Sequence, residues 1–223
     1  MAPRPCIIFD CDGTLTDSHH VIVEAMTRTF VSAGLTPPTD PATRAVIGLS
    51  LPNAIGHLMQ DGELGLRDQL VEDYKTVFSE MRLAGEMREH LFPHVKTCLD
   101  ALLDAGASLG IATGKSRRGL DHILDTHGLR RYFGTLQTAD TNPSKPHPAM
   151  LEVAMSELGA APHETVMIGD SPYDIQMARA AGTRAIGVSW TDHGPAALKA
   201  AGAHALLDSF DDWSVLLSED KAA

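Results

Sequence analysis

The sequence predicts an α/β fold: a doubly wound parallel sheet, or Rossmann-like core, with an inserted all-helical cap subdomain. The first observation is the unbroken apolar run Cys6–Phe9, which is typical of a strand buried on both faces of a parallel sheet. The second is the alternation of strand and helix patterns after about residue 93, which is the signature of βαβ units. The third is a stretch of purely helical patterns, residues 18–82, which interrupts that alternation.

The helical stretch divides into four predicted helices. In residues 21–33 apolar side chains recur at helical spacing, with Asp17 or Ser18 as the candidate N-cap and Gly34 as the terminator. Asp40 and Pro41 then provide an N-cap and a first helical residue. The three further helices are predicted at residues 42–47, 51–59 and 67–82. We therefore predict a cap domain at residues 18–82 and a core domain, which carries the active site, at residues 1–17 and 83–223.

The second half alternates strands and helices, and a glycine follows most of the helices. The predicted strands are residues 108–112, 135–138, 165–168, 184–188 and, as an edge strand, 205–207. The predicted helices are residues 95–105, 116–126, 148–158 and 173–181. This order of elements predicts a sheet in which the strands run parallel.

Composition limits the partners and the compartment. The net charge of −11 argues against binding to nucleic acid or to an anionic membrane surface, because both need a basic surface. Three cysteines do not form a disulfide framework, which favours a reducing compartment. Residues 1–5 are too short for a signal peptide, and no apolar run approaches the ~20 residues of a membrane span. The expected location is the cytoplasm, and the oligomeric state is left open.

Polar side chains follow three of the predicted strands and precede one helix. Because the carboxyl ends of parallel strands lie on one edge of the sheet, we expect these groups to share one crevice. The residues are Asp10 and Asp12, then Thr113, Gly114 and Lys115, then Lys145, and finally Asp170, Ser171 and Asp174.

These residue types favour phosphoryl transfer to or from a small phosphorylated metabolite. Asp10 and Asp170 offer the hard oxygen ligands that Mg²⁺ prefers. Asp12, two residues from the first acid, has the chemistry to donate and accept a proton. A metal and a lysine together offset the charge that repels a carboxylate from a phosphate dianion. The candidate groups for holding phosphate oxygens are Thr113, the backbone N–H at Gly114, and Lys145.

The same residues resemble four ordered motifs of the haloacid-dehalogenase-like hydrolase superfamily. The branch that the chain resembles most is the phosphoglycolate-phosphatase-like one, in which a helical cap lies between the first and second motifs. The motifs span nearly the whole chain. The matching residues are Asp10-Cys11-Asp12-Gly13-Thr14, Thr113, Lys145 and Gly169-Asp170-Ser171-Pro172-Tyr173-Asp174.

The resemblance implies a role for each residue. Asp10 is expected to be the nucleophile that forms an aspartyl-phosphate, and Asp12 the general acid and base. Asp10, Asp170 and the backbone carbonyl of Asp12 are expected to bind Mg²⁺. Thr113 and Lys145 are expected to hold the phosphoryl oxygens. The supporting residues are Ser171 and Asp174, with Asp174 acting on the metal shell or on Lys145, and Lys115 is a candidate substrate contact.

Other interpretations remain open at this stage. A β-phosphoglucomutase-like enzyme is disfavoured because Ile22 stands where that mutase carries a histidine, whereas inorganic pyrophosphatase activity is compatible with the same residues. Asp12 disfavours a dehalogenase or a phosphonate-cleaving enzyme, and a non-catalytic binding protein is the least favoured. Thr113 and Asp170 are also candidate helix N-caps. The eleven histidines, His19 among them, show no zinc-ligand spacing and are expected at the surface.

Overall fold

In a computed structural model, which describes residues 4–59, 64–191 and 193–217, the core is a parallel six-stranded sheet. The strands are β1 (Cys6–Phe9), β2 (Thr16–Asp17), β3 (His90–Leu91), β4 (Ser108–Thr113), β5 (Thr135–Thr138), β6 (Thr165–Gly169), β7 (Arg184–Val188) and β8 (Ala205–Leu207). The six core strands follow the order β5-β4-β1-β6-β7-β8, and each neighbouring pair is parallel. The predicted doubly wound sheet is confirmed.

Strand β1 lies inside the sheet and is buried on both faces. Ile7 and Phe9 belong to the apolar cluster on one side, whereas Cys6 and Ile8 belong to the cluster on the other. Because successive residues of a strand point to opposite faces, a strand between two clusters must be apolar at every position. This explains why the run lacks polar alternation.

The helices follow the predicted order, and their observed bounds differ from the predicted ones by at most two residues. They are α1 (His19–Ser32), α2 (Asp40–Ala45), α3 (Leu51–Leu58), α4 (Arg67–Leu83), α5 (Val95–Asp104), α6 (Arg117–His127), α7 (Ala149–Leu158), α8 (Pro172–Ala180), α9 (Gly194–Ala200) and α10 (Ser214–Leu217). Helices α9 and α10 were not predicted, because they are too short to show helical periodicity. No helix in the described ranges is long and apolar enough to cross a bilayer.

Helices α1 to α4 pack on one another around an apolar cluster of their own, which includes Met26, Phe30, Ile55 and Leu70. The chain enters this bundle from β2 and returns to the core through β3. These two short strands pair antiparallel, with Thr16 opposite Leu91 and Asp17 opposite His90. This two-stranded ribbon was not predicted, because two residues give no alternation pattern.

Several helix caps differ from the predicted ones. Ser18 occupies the N-cap of α1 but makes no capping hydrogen bond, and Asp17 lies in β2. Thr39, rather than Asp40, caps α2 by accepting a hydrogen bond from Ala42 N. The alternative capping roles of two core residues are also wrong: Ser116, not Thr113, caps α6, and Ser171, not Asp170, caps α8. Thr113 and Asp170 are therefore buried for another reason.

Candidate active site

The predicted site residues lie at the carboxyl ends of the central strands, where β1 is flanked by β4 on one side and β6 on the other. Open α/β sheets bind ligands at such a reversal of strand order. Asp10 directly follows β1, Thr113 ends β4, and Asp170 directly follows β6. All three side chains are buried. Burial is unusual for the two carboxylates, Asp10 and Asp170, unless they are paired.

Lys145 is the central cation of this crevice. Its Nζ lies 2.8 Å from Asp10 Oδ1 and 2.6 Å from Asp174 Oδ1, and it is fully buried. Carboxylate oxygens of Asp10, Asp170 and Asp174 lie within 4.8 Å of one another. One ammonium group therefore faces three buried carboxylates.

The excess of negative charge alters the ionisation of the site. Burial raises the pKa of Asp10 to about 7, Lys145 opposes this increase, and the charges of Asp174 and Asp170 reinforce it. Burial disfavours the charged form of Lys145, but Asp10 and Asp174 outweigh it and raise the pKa of the ammonium group. The lysine therefore stays charged, and the site still lacks positive charge.

A divalent cation would supply the positive charge that the site lacks. Asp10 Oδ2 and Asp170 Oδ2 are buried and accept no hydrogen bond from any residue that the structure describes. Asp174 differs, because its Oδ1 accepts from Lys145 and its Oδ2 accepts from Ser171 Oγ at 2.6 Å and from Ser171 N at 3.1 Å. The donor set at Asp10 and Asp170 consists of hard oxygens, which suits Mg²⁺. Asp174 is engaged in holding Lys145.

Asp12 belongs to a second buried network beside the first. Its Oδ1 accepts hydrogen bonds from Ser18 Oγ at 2.5 Å and from Lys115 Nζ at 2.8 Å. Lys115 Nζ also lies 3.0 Å from Glu89 Oε1. Burial alone would raise the pKa of Asp12, but Lys115 and Ser18 reverse this effect and hold the pKa below its usual value. Lys115, the candidate substrate contact, is thus paired with two carboxylates.

The loop between α2 and α3 rests on the loop that follows β4. A Cβ atom at Gly114 would lie 2.5 Å from both Gly48 O and Leu49 O, so only glycine fits there. Ser50 N donates to Ser144 Oγ at 2.8 Å, which is a further link between the helical bundle and the core. The bundle therefore closes over the crevice that holds Asp10.

The family of this chain follows from a comparison of its sequence with protein-family models. A model described as haloacid dehalogenase-like hydrolase matches residues 7–188, and all the predicted site residues lie in this range. The chain belongs to the haloacid dehalogenase-like hydrolases. The predicted superfamily is confirmed.

Individual relatives cover most of this hydrolase. A protein named probable phosphatase IndB, from Dickeya dadantii, is 37% identical over 215 residues, which are 94% of this chain and 91% of the relative. A pyrophosphatase PpaX of Bacillus pumilus is 33% identical and covers 86% of each chain. A phosphoglycolate phosphatase of Vibrio vulnificus is 31% identical over 82% of this chain and 83% of its own length. A crystal structure of a haloacid dehalogenase-like hydrolase from Bacteroides fragilis, 28% identical, superposes with a TM-score of 0.80 over 92% of this chain and 97% of that one.

His19 of the hydrolase was expected at the surface, and that prediction is wrong. Its side chain is buried, and Nε2 lies 3.4 Å from Asp170 Oδ2. The reason is the tight turn after β1, in which Gly13 adopts a positive φ of 80° and a Cβ atom would collide with both Asp170 and His19. The first turn of α1 is thereby folded back against the crevice. No spacing rule in the sequence signals this contact.

A cavity of about 470 Å³ leads from Asp12 of the hydrolase into the space between the helical bundle and the core. Its walls come mainly from α1, α4, the α2–α3 region and the loop and first turn after β4. The apolar lining consists of Ile22, Met26, Val46, Ile47, Leu49, Leu51, Pro52, Ala54, Val71, Tyr74, Phe78 and Ala139. The charged lining consists of Asp12, Lys75, Arg82, Lys115, Arg118 and Asp140. The segment 48–50, which joins α2 to α3, also lies in this lining.

Proposed function

We propose that this hydrolase cleaves a small-molecule phosphomonoester by a Mg²⁺-dependent route through an aspartyl-phosphate. The predicted enzyme class, phosphoric monoester hydrolase, is confirmed by the phosphatases among its relatives. The observation that carries the proposed mechanism is the buried carboxylate of Asp10, whose Oδ1 lies 2.8 Å from Lys145 Nζ while its Oδ2 accepts no hydrogen bond from the described residues. Such a carboxylate is held in place and has one oxygen available for attack.

In the first step a carboxylate oxygen of Asp10 attacks phosphorus, and the bond between phosphorus and the leaving oxygen breaks. Lys145 and Thr113 hold the phosphoryl oxygens, and Asp12, in its protonated form, gives its proton to the leaving oxygen. In the second step Asp12 takes a proton from water, which attacks the phosphorus of the aspartyl-phosphate and releases inorganic phosphate. Mg²⁺ at Asp10, Asp170 and the Asp12 carbonyl would offset the negative charge that opposes both attacks.

Helices α1 to α4 act in this proposal as a cap that excludes bulk water and selects the leaving group. The division into a cap at residues 18–82 and a core at residues 1–17 and 83–223 is supported by the separate apolar cluster of these helices. Contacts such as that of Gly48 and Leu49 with Gly114 keep the cap against the core. The substrate is accordingly a small metabolite rather than a phosphoprotein. The cytoplasmic location stays a prediction.

The test is phosphate release from a panel of small metabolite phosphates, measured with Mg²⁺ and with EDTA. We expect Mg²⁺-dependent turnover of at least one phosphomonoester, and its loss in Asp10→Asn. Asp17→Asn is the matched control, because it makes the same change in an exposed carboxyl seven residues away. No turnover of any member, or normal turnover by Asp10→Asn, would refute the proposal; the first result would favour a binding protein.

Inorganic pyrophosphatase activity is the second candidate, favoured by the relative named pyrophosphatase PpaX. Sugar phosphomutase activity is less favoured, because Ile22 contributes an apolar side chain to the cavity and has no group for proton transfer. Incubation with pyrophosphate and with β-glucose 1-phosphate separates the three activities. A mutase would yield glucose 6-phosphate, whereas a phosphatase would yield free phosphate.

A further inference from the structure

We propose that the leaving group of the substrate carries a negative charge of its own, a carboxylate or a second phosphate, and that Arg82 and Arg118 bind it. This inference rests on the proposed phosphatase function and names the substrate class of the same site. It starts from the charged side chains in the wall of the cavity that leads away from Asp12.

Two of the basic side chains in this wall already have acidic partners. Lys75 Nζ lies 2.6 Å from Glu72 Oε1, and Lys115 Nζ is shared between Asp12 and Glu89. Arg82 and Arg118 line the same cavity, and neither forms an ion pair with an acidic residue in the described ranges. An anionic ligand that enters the cavity therefore finds two guanidinium groups without a carboxylate partner.

Arg82 is placed by the geometry of α4. Tyr74, Phe78 and Arg82 follow one another at intervals of four residues, so they form one row along the helix. All three line the cavity, and Arg82 Cζ lies 5.6 Å from the centre of the Phe78 ring. Arg82 Nε is buried and donates no hydrogen bond to any described residue. A buried donor without a partner costs free energy, which an anionic acceptor would recover.

Arg118 approaches from the opposite wall, on α6 of the core, and is exposed to solvent. Burial lowers the pKa of Arg82, the charge of Glu89 opposes this effect, and the charge of Arg118 lowers the pKa by less than Glu89 raises it. The two guanidinium groups therefore repel each other, and the nearby Glu89 charge offsets that repulsion without forming an ion pair with Arg82. A carboxylate or phosphate between them would relieve the repulsion, and the planar guanidinium groups suit two-pronged binding of either anion.

The two arginines belong to different parts of the molecule, Arg82 to the helical bundle and Arg118 to the core sheet layer. An anion bound to both would hold the bundle against the core while the phosphoryl group lies at Asp10. A neutral leaving group, such as that of a simple sugar phosphate, would lack this link. Charge on the leaving group is therefore expected to select the substrate.

The experiment compares two series of phosphomonoesters in the presence of Mg²⁺. The charged series is 2-phosphoglycolate, 3-phosphooxypropanoate and 4-phosphooxybutanoate, and the neutral series replaces each carboxylate with a hydroxymethyl group. Increasing chain lengths allow for the size of the cavity, and pyrophosphate is added to distinguish a phosphate from a carboxylate. The wild-type kcat/KM is expected to be at least about tenfold higher for the best anionic substrate than for its neutral counterpart.

Substitutions test which residues cause the preference for anionic substrates. Arg82→Gln and Arg118→Gln are each expected to lower kcat/KM for the best anionic substrate by about tenfold to a hundredfold, and for the neutral one by less than about twofold. Arg82→Lys is expected to retain part of the preference. The matched control is Lys75→Gln, which removes one positive charge from the same helix and cavity wall but from a side chain already paired with Glu72.

The outcomes separate the two proposals. Equal wild-type kcat/KM values for charged and neutral substrates would refute the inference of a charged leaving group. An equal loss of kcat/KM for both in Arg82→Gln would refute it too. Neither result would affect the proposed phosphatase function. Absence of phosphate release from every substrate would instead refute the proposed phosphatase function. In that case calorimetric binding of the same pairs to Asp10→Asn still tests the arginines, because binding needs no turnover. Equal affinity for charged and neutral members would overturn the inference.

Discussion

Replacement of Asp10 by asparagine separates the cost of its buried charge from its proposed role as nucleophile. In the unfolded chain a carboxyl of this type ionises near 3.8, whereas burial raises the pKa of Asp10 in the folded protein to about 7. Between these two values the folded state keeps a proton that the unfolded state has lost. The contribution of Asp10 to the free energy of unfolding therefore falls as the pH rises from about 4 to about 7, and it is lowest above that range.

The size of the effect follows from the two pKa values, 3.8 and about 7. At about 1.36 kcal/mol per unit, the ionised side chain costs the fold up to about 4 kcal/mol at pH 8 and about 2 kcal/mol at pH 5. Asparagine removes this cost, because it is uncharged in both states. In EDTA, Asp10→Asn is therefore expected to be more stable than the wild type. At about 2–4 °C per kcal/mol for a chain of this size, its Tm would be higher by as much as about 16 °C at pH 8.

Thermal and urea unfolding at pH 5 and pH 8, both in EDTA, measure this gain, and Asp17→Asn is the control that is expected to show none. Added Mg²⁺ should raise the stability of the wild type more than that of Asp10→Asn, because only the wild type offers the Asp10 carboxylate to the cation. The reasoning is refuted if Asp10→Asn is no more stable than the wild type at pH 8, or if its gain is the same at both pH values.

Four further changes test the other parts of the site. Lys145→Met leaves Asp10 and Asp174 without their cation, so the free energy of unfolding in urea should fall by about 3–5 kcal/mol, and turnover should be lost. Gly114→Ala forces the backbone at Gly48 and Leu49 away, so steady-state kinetics should show a higher KM; an unchanged KM would contradict the close contact. Lys115→Met removes the cation that holds the pKa of Asp12 down, so Asp12 should keep the proton that it gives to the leaving oxygen up to a higher pH; the alkaline limb of the pH profile of kcat/KM should therefore move to higher pH, whereas Lys75→Gln should leave it in place. EDTA should abolish activity and Mg²⁺ restore it, and Asp170→Asn should raise the Mg²⁺ concentration for half-maximal activity at least about tenfold; an unchanged requirement would argue against Asp170 as a ligand.

Features set by local pattern could be predicted from the sequence. The apolar run Cys6–Phe9 predicted a strand buried on both faces, because no polar residue could be accommodated in either apolar cluster. The placement of Asp10, Thr113 and Asp170 followed from parallel topology, since the carboxyl ends of neighbouring strands lie on one edge. The meeting of these residues in one crevice therefore required no knowledge of loop conformation.

Features set by tertiary contact could not be predicted in this way. The buried position of His19 depends on the tight turn at Gly13, and the pairing of Lys115 with Glu89 joins two segments 26 residues apart. Neither contact has a sequence spacing that identifies it. Ser18 shows the same limit, because a residue suited to an N-cap instead donates its hydrogen bond to Asp12. Tertiary partners decided the role of each of these side chains.

The ribbon formed by β2 and β3 has a consequence for how enzymes of this architecture diversify. Because Asp17 pairs with His90, the exit from the sheet domain and the re-entry into it lie side by side, about 5 Å apart. A module tethered by two adjacent ends can be exchanged for one of different length or shape without altering any strand register. Substrate recognition can then change while the residues of the sheet domain that form the candidate site stay the same.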